Sequence, residues 1–379
     1  MRIALNLVFL VPGETGGMEV YARELISRLA AADGVELVCL VNREAAVDTS
    51  APWGNVAPMQ VVPVHARSRV EWVRGEQQHV PRLAARWGAD LVHSLASTGP
   101  VHGRVPRVTT VHDLNYLNLP DAHFGVRSLG MRVLVPAAVR TSRRVLADST
   151  ATKDDLVRHL KADPALVDVV PLGVAAPAVA PTDEAALRAA LGLGDRPVVL
   201  SVSAKRPHKN LARLLDALAQ LPPERRPMLV IPGYPTPYEA ELREHARAAG
   251  VADDVVWPAW LSGEDLEGLY ALASAVVFPS LIEGFGLPVL EGMARGVPVA
   301  TSSTSSMPEV AGGAALLFDP ESPTAIRGAI EQLLGDEALA NRLRAAGRVR
   351  AAEMTWERTA EATVASYRRA LAPGGRVAA

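Results

Sequence analysis

The chain has 379 residues, which at about 150 residues per domain points to two domains and excludes a single small module. Hydrophobic residues make up 49% and charged residues 21%, a balance that supplies substantial cores and excludes extensive disorder. The formal net charge of −2 leaves no global field to favour nucleic acid or an anionic membrane, so any phosphate chemistry rests on local groups.

In chain order, the apolar run Ile3–Leu10 reads as a buried first strand. It is not read as a secretory segment, because Asn6 interrupts it and no small-residue cleavage site follows. A Gly-rich loop, Gly13–Gly17, and an amphipathic helix, Glu19–Ala31, come next. No apolar stretch reaches the ~20 residues of a membrane span, and the expected location is the cytoplasm. The next strand, Val35–Val41, holds the only cysteine, Cys39. A single cysteine excludes an internal disulfide and a cysteine-based zinc site, and its apolar flanks mark a buried thiol. Further strands are expected at Leu91–His93, Val108–His112, Arg144–Ala147 and Val167–Val170, with a helix at Thr152–Leu160. The stretch Val126–Val145 intersperses Arg127, Arg132, Arg140, Arg143 and Arg144 with apolar residues. An ordinary helix with solvated arginines is the preferred reading; a basic helix on the acceptor side or at a membrane surface is the other.

Gly173–Asp183 contains Pro177 and Pro181, has no periodicity, and reads as a linker. A second series of strands follows at Val198–Val202, Met228–Ile231, Val255–Pro258, Ala275–Phe278, Val297–Ala300 and Ala315–Phe318. Between the first two, Leu211, Leu214, Leu215, Leu218 and Leu221 line one face of a helix. A last helix, Thr355–Leu371, carries Trp356 and Tyr367 and is expected to serve packing. Short buried runs alternating with helices imply parallel sheets covered on both faces, hence an α/β doubly wound architecture in each half. Ligands in such sheets bind beyond the carboxyl ends of the strands, which puts the expected site in a cleft between the halves.

The most informative segment is Val277–Pro298. A strand ends at Pro279, a loop with two glycines follows, and Pro288 suits the first turn of a helix. The amides around Gly284–Leu287 then face outward at a helix amino terminus, where an anion binds well. Glu283 and Glu291 flank this loop with seven residues between them. Carboxylates accept hydrogen bonds from hydroxyls, so an anion site beside two of them fits a sugar nucleotide, with its diphosphate and its sugar and ribose hydroxyls. The plain alternative is a glycine turn, a helix cap and two solvated glutamates. Lys209 stands at a strand–loop–helix junction with Asn210 placed to cap the helix. A lysine at the positive end of a helix dipole is unfavourable unless an anion is near, which marks Lys209 as a phosphate ligand. Arg206 is preferred over Lys205 as a second cation. His112 closes a strand, and Asp113 beside it orients the imidazole or caps the loop. Gly16 and Gly17 permit close backbone approach to a ligand, and Glu19 is a favourable first-turn acid. No Asp-x-Asp occurs and the nine histidines lack ligand spacing, so no metal or other cofactor is expected.

The segment EGFGLPVLE (Glu283–Glu291) resembles the donor-binding signature of retaining glycosyltransferase family 4. The likeness continues through Ser302–Pro320, Lys205–Leu218, Thr110–Leu114, Ala147–Leu156, Val169–Val174 and Val11–Ala30, so it covers almost the whole chain. It implies the GT-B fold: a Rossmann-like acceptor-side domain, 1–173, and a donor-binding domain, 174–354, with the helix of 355–379 packing back on the first. It further implies a nucleotide-sugar donor, with GDP-mannose favoured, and a hydroxyl acceptor on a glycan, a lipid-linked glycan or a small metabolite. Glu283 would bind sugar hydroxyls, Glu291 the ribose, the amides of Phe285, Gly286 and Leu287 the sugar and diphosphate, and His112 a sugar hydroxyl near the reacting carbon. The family's usual Gly-Arg is Ser203-Ala204 here, which is why the second cation is sought at Arg206 or Lys205. The expected activity is metal-independent transfer with retention, without nucleic acid, and with peripheral membrane contact left open. A GT-B-fold UDP-sugar epimerase and a non-catalytic sugar-nucleotide-binding protein are the alternatives.

Overall fold

The structure is a computed structural model that describes residues 1–118, 125–177, 179–259 and 261–372, with backbone alone at 118 and 125–129. The chain divides into two units, Met1–Gly173 with Trp356–Ala379, and Val174–Thr355. Among the described residues no helix is long and apolar enough to cross a membrane.

The first unit is built on seven strands: β1 (Arg2–Leu7), β2 (Glu36–Val41), β3 (Met59–Val61), β4 (Leu91–Ser94), β5 (Arg107–Val111), β6 (Arg144–Ala147) and β7 (Val167–Val169). Their order is β3-β2-β1-β4-β5-β6-β7, with every pairing parallel. The winding direction therefore reverses between β1 and β4, the point at which doubly wound sheets open a ligand crevice. The expected strands all form. The run Ile3–Leu10 leaves the sheet at Leu7, because Leu10 N–H turns back to the Leu7 carbonyl, yet its last residues stay buried. Strand β3 gave no sequence signal, since it is three residues long and partly exposed at the sheet edge. Cys39 is a fully buried strand thiol.

The helix α1 (Gly17–Ala30) follows β1 and buries Tyr21, Ala22, Leu25, Ile26 and Leu29. The basic stretch is not one continuous helix. Its helix spans Gly125–Thr141 and carries exposed Arg132 and Arg140. Arg143 donates to the Ala370 carbonyl at 3.0 Å, Arg144 lies on β6 paired with Asp168, and the Arg127 side chain lies outside the described residues.

The second unit has strands β8 (Val198–Leu200), β9 (Met228–Val230), β10 (Val255–Val256), β11 (Ala275–Phe278), β12 (Val299–Ser302) and β13 (Leu316–Phe318). Their order is β10-β9-β8-β11-β12-β13, again all parallel, with the reversal between β8 and β11. The amphipathic helix α2 (Leu211–Ala219) buries its leucines, and Leu221 beyond it, in the core of this unit. Asn210 does not cap α2 through its side chain. It takes a left-handed backbone (φ 59°) and sends Nδ2 to the carbonyls of Pro279 at 3.0 Å and Pro320 at 2.7 Å. It thereby ties together the loops after β8, β11 and β13. The helix α3 (Leu287–Ala294) has Pro288 in its first turn.

The last helix, α4 (Trp356–Leu371), belongs to the first unit and buries Trp356 and Tyr367 there. Tyr367 does more than pack. Its hydroxyl meets His93 Nδ1 at 2.7 Å, His93 Nε2 meets Thr110 Oγ1 at 2.8 Å, and Thr110 meets the Tyr21 hydroxyl at 2.9 Å. This buried chain runs from α4 through β4 and β5 to α1. Burial, aided by the charge of nearby His112, pushes the His93 pKa down to about 3, so His93 is neutral in the fold and basic once unfolded. A group whose pKa is depressed by folding contributes stability above its unfolded value near 6.5, and that contribution fades as pH falls towards the folded value. From pH 7 to 5, the wild type should lose about 2 kcal/mol more stability than His93→Gln, measured by urea unfolding at both pH values.

Candidate functional site

At the reversal point of the second sheet, the chain leaving β8 forms a short turn, Pro207–Lys209, and the chain leaving β11 forms the loop that contains Glu283. Because β8 and β11 are neighbours, these two loops meet. Lys209 Nζ lies 2.6 Å from Glu283 Oε1, with both side chains mostly buried, and 5.3 Å from the Phe278 ring centroid. His208, just before Lys209, is buried, and burial with the Lys209 charge pushes its pKa down to about 4.

The backbone of the Glu283 loop is held by two serines that follow β12. Glu283 N–H donates to Ser305 Oγ at 3.1 Å, and that hydroxyl donates back to the Glu283 carbonyl at 2.7 Å. Ser306 Oγ lies 3.0 Å from the Glu283 carbonyl and 2.7 Å from the Phe285 carbonyl. Ser305 adopts φ 56°, a left-handed conformation that costs a non-glycine residue about 1–2 kcal/mol. Gly286 precedes α3 at φ 113°, and a Cβ there would overlap the Met307 methyl group. Phe285, Gly286 and Leu287 thus form the amino terminus of α3, where aligned amides favour negative charge.

One turn into α3, Glu291 Oε2 accepts from the Tyr270 hydroxyl at 2.8 Å. Burial raises the Glu291 pKa against the opposing effects of that hydrogen bond and of Arg295. Arg295 stacks over the Tyr270 ring at 4.8 Å and pairs with Glu267. The two candidate second cations separate cleanly. Lys205 is fully buried and its Nζ donates to the carbonyls of Gly233 at 2.6 Å and Pro258 at 3.3 Å, while Arg206 is exposed on the turn that carries Lys209. Burial, with Glu239 opposing and Arg243 adding, pushes the Lys205 pKa down to about 8.

In the first unit, Gly16 takes φ 64° with ψ −133°, open to glycine alone, and Gly17 begins α1. Among the described residues, a Cβ built on either glycine would meet no heavy atom within 4 Å beyond its chain neighbours and the adjoining helix backbone. Glu19 is a first-turn acid of α1 that accepts from Gly13 N–H at 2.8 Å and pairs with Arg23.

His112 is placed by strand register. Val111 on β5 pairs with Ala147 on β6, so His112 and Asp148, the next residue on each strand, stand side by side. His112 Nδ1 is 2.7 Å from Asp148 Oδ2 and Nε2 is 2.8 Å from the Leu95 carbonyl. The Tyr21 ring meets the imidazole edge-on with centroids 4.9 Å apart. Burial pulls the His112 pKa down, but the Asp148 charge and hydrogen bond, with the Leu95 carbonyl, outweigh it and raise the net value. Asp113 takes the second of its two expected roles: its Oδ1 accepts from Asn115 N–H at 2.9 Å, an Asx turn that shapes the loop. Both ring nitrogens are engaged within the protein, so a sugar hydroxyl would have to displace one of these partners.

The second unit thus joins Lys209, Glu283 and the start of α3, with Glu291 on Tyr270, while Gly16, Gly17 and His112 stand in the first. Sequence reasoning missed Asp148, Tyr21, Ser305, Ser306 and Tyr270. Only Asp148 left a trace, as an acid closing an apolar run in the manner of His112. Among the described residues no group of three or more His, Cys, Asp or Glu is placed to hold a metal ion.

Comparison with known proteins agrees with these two units. Residues 15–176 match the family model Glycosyltransferase Family 4, and residues 183–350 match Glycosyl transferases group 1. The O-antigen chain mannosyltransferase B of Escherichia coli is 29% identical over 279 residues, covering 69% of this chain and 70% of that protein. The D-inositol 3-phosphate glycosyltransferase of Streptomyces bingchenggensis is 30% identical over 414 residues, covering 98% of this chain and 90% of the relative. Among solved structures, Anabaena Alr3699/HepE in complex with UDP-glucose superposes with a TM-score of 0.77 at 20% identity, over 97% of this chain and 99% of that one.

The geometry at Gly286 has a measurable consequence. Gly286→Ala should destabilise the protein by at least about 1–2 kcal/mol through its positive φ alone. Adding Met307→Ala removes the overlap but not the backbone strain. In denaturant titration the double variant should therefore remain less stable than Met307→Ala.

Proposed function

We infer the function from one premise, that the chain belongs to the glycosyltransferases of family 4 and group 1: it transfers a sugar from a nucleotide diphosphate donor to a hydroxyl acceptor. The observation that carries the site assignment is the Lys209–Glu283 pair at 2.6 Å beside the start of α3. A buried cation and a buried carboxylate neutralise one another while no ligand is present. The donor offers each a better partner: phosphate oxygens for the ammonium, and sugar hydroxyls, which carboxylates accept from, for Glu283.

In this reading the amides of Phe285, Gly286 and Leu287, with Lys209 and exposed Arg206, stabilise the charge that develops on the leaving diphosphate. Glu291, oriented by Tyr270, holds the ribose. Gly16 and Gly17 allow close backbone approach to the diphosphate or acceptor, and His112 acts near the reacting carbon. Transfer proceeds with retention. As the bond from the anomeric carbon to the phosphate oxygen breaks, the acceptor oxygen bonds to the same face, and its proton passes to the departing phosphate oxygen. The cationic groups and helix-end amides support metal-independent transfer. GDP-mannose is the proposed donor, supported by the mannosyltransferase relative and by the sequence likeness around His112 and Met307–Pro320.

Thermal unfolding with GDP, UDP, dTDP and ADP in parallel, without metal, tests this reading. GDP at 100 times its Kd should add about 2.7 kcal/mol of stability. Lys209→Ala should abolish that shift. Glu283→Ala should keep it, since GDP lacks the transferred sugar, yet lower transfer from GDP-mannose by about 100-fold or more. A shift with another base alone would replace the donor. No shift with any nucleotide, or product formed from the donor without an acceptor, would overturn the transferase site as drawn.

A further inference from the structure

Between the short helix Arg69–Arg74 and the helix Val80–Trp87 lies a single π-type turn, Gly75–His79. Such turns carry one residue more than the helix and recur at functional sites. This one turns two polar side chains inward at the reversal point of the first sheet. Glu76 is 1% exposed, and its Oε1 accepts from Asn6 Nδ2 on β1 at 3.1 Å and from Thr98 Oγ1 at 3.0 Å. Its Oε2 is buried with no hydrogen-bond partner among the described residues. Asn6 Nδ2 also donates to Ser94 Oγ at the end of β4, at 3.1 Å, so Asn6 spans the two strands that flank the reversal and Glu76 ties it to the loop after β4.

Gln77, half-buried, completes the grip. Its Nε2 donates to the Gly99 carbonyl at 2.9 Å, and its Oε1 accepts from Val101 N–H at 2.9 Å. The loop that leaves β4 is thus pinned at Thr98, Gly99 and Val101 by two consecutive side chains of one turn. The residue at the head of that loop is Leu95, whose carbonyl lies 2.8 Å from His112 Nε2.

A carbonyl oxygen only accepts, so this bond needs a proton on Nε2, as the Asp148 carboxylate needs one on Nδ1. We propose that Glu76 and Gln77 are positioning residues for His112: by pinning the loop after β4 they hold the Leu95 carbonyl on Nε2, so that the ring, with Asp148 on Nδ1, is held at both nitrogens in its doubly protonated form. An unpinned carbonyl would release Nε2 and leave the ring held by Asp148 at Nδ1. The other groups facing the imidazole are Asp148 after β6, Asp113 on its own loop, Tyr21 from α1 and neutral His93 on β4. Of these, Asp148 bonds the ring directly, through Nδ1. The relevance of this device to transfer rests on the role given to His112 above; its effect on the ring does not.

The test uses the full chain labelled with ¹⁵N-histidine, with the His112 resonances assigned by comparison with His112→Asn. In the wild type both ring nitrogens should stay protonated to a pH above the ordinary histidine range. In Gln77→Ala and in Glu76→Gln, the His112 pKa should fall by about half a unit or more as the acceptor on its charged form is lost. GDP release from GDP-mannose should fall about tenfold or more through turnover rather than KM. Gln77→Glu, which keeps an acceptor for Val101 N–H, should restore part of the wild-type titration. Should Glu76→Gln fail to fold, the half-buried Gln77 variants decide the matter. An unchanged His112 titration in folded Gln77→Ala overturns the proposal. A shifted titration with undiminished GDP release supports the positioning and instead removes His112 from the reaction.

Discussion

The register of parallel strands governs both halves of this molecule. In a parallel sheet every strand delivers its next residue to the same edge, so residues that leave neighbouring strands at matched positions become neighbours themselves. The pairing of Val111 with Ala147 places His112 against Asp148. The pairing of β8 with β11, through Val199 with Ala275 and Leu200 with Val276, brings the loops bearing Lys209 and Glu283 together. A slip of either register would separate partners whose charges are mostly withdrawn from water, and an unpaired buried charge is far more costly than a paired one.

These ion pairs are therefore poor candidates for stabilisers. Burying two charges costs about as much as their attraction returns, and a well-packed apolar pair would serve the fold as well. In the proposed function they are charges kept ready for a ligand. The scaffold around them is correspondingly over-determined. Ser305 and Ser306 clamp the carbonyls of the Glu283 loop, Gly286 allows α3 to start abruptly against Met307, and Asn210 binds three loop ends with two hydrogen bonds. Left-handed backbone at Asn210 and Ser305 marks where the chain accepts local strain to aim these groups.

The first unit uses a different means to the same end. Its histidine is surrounded by elements that arrive separately: Asp148 from β6, Leu95 from the loop after β4, and Tyr21 from α1. Tyr21 is in turn anchored through Thr110 and His93 to Tyr367 on α4. A helix from the far end of the chain thus completes the core of the first unit, through a polar chain that a purely apolar interface would not orient as sharply.

Much of this was legible in the residues themselves. Apolar runs four to eight residues long, alternating with helical periodicity, were enough to read two doubly wound halves, and the glycine, proline and glutamate spacing in Val277–Pro298 marked the candidate site in the second half. Short-range patterns report which residues share a face, a turn or a helix end, because those relations depend on rise per residue and backbone dihedrals alone. Partners far apart in sequence left no comparable signal. Asp148 stands 36 positions from His112, Tyr270 stands 21 from Glu291, and the serine clamp follows a different strand from the loop it holds. The same limit explains why Asn210 looked like a side-chain cap and why Asp148 went unread beside His112. Chain neighbours were available to sequence reasoning, whereas strand order and register, which chose the actual partners, exist only once the sheets have formed.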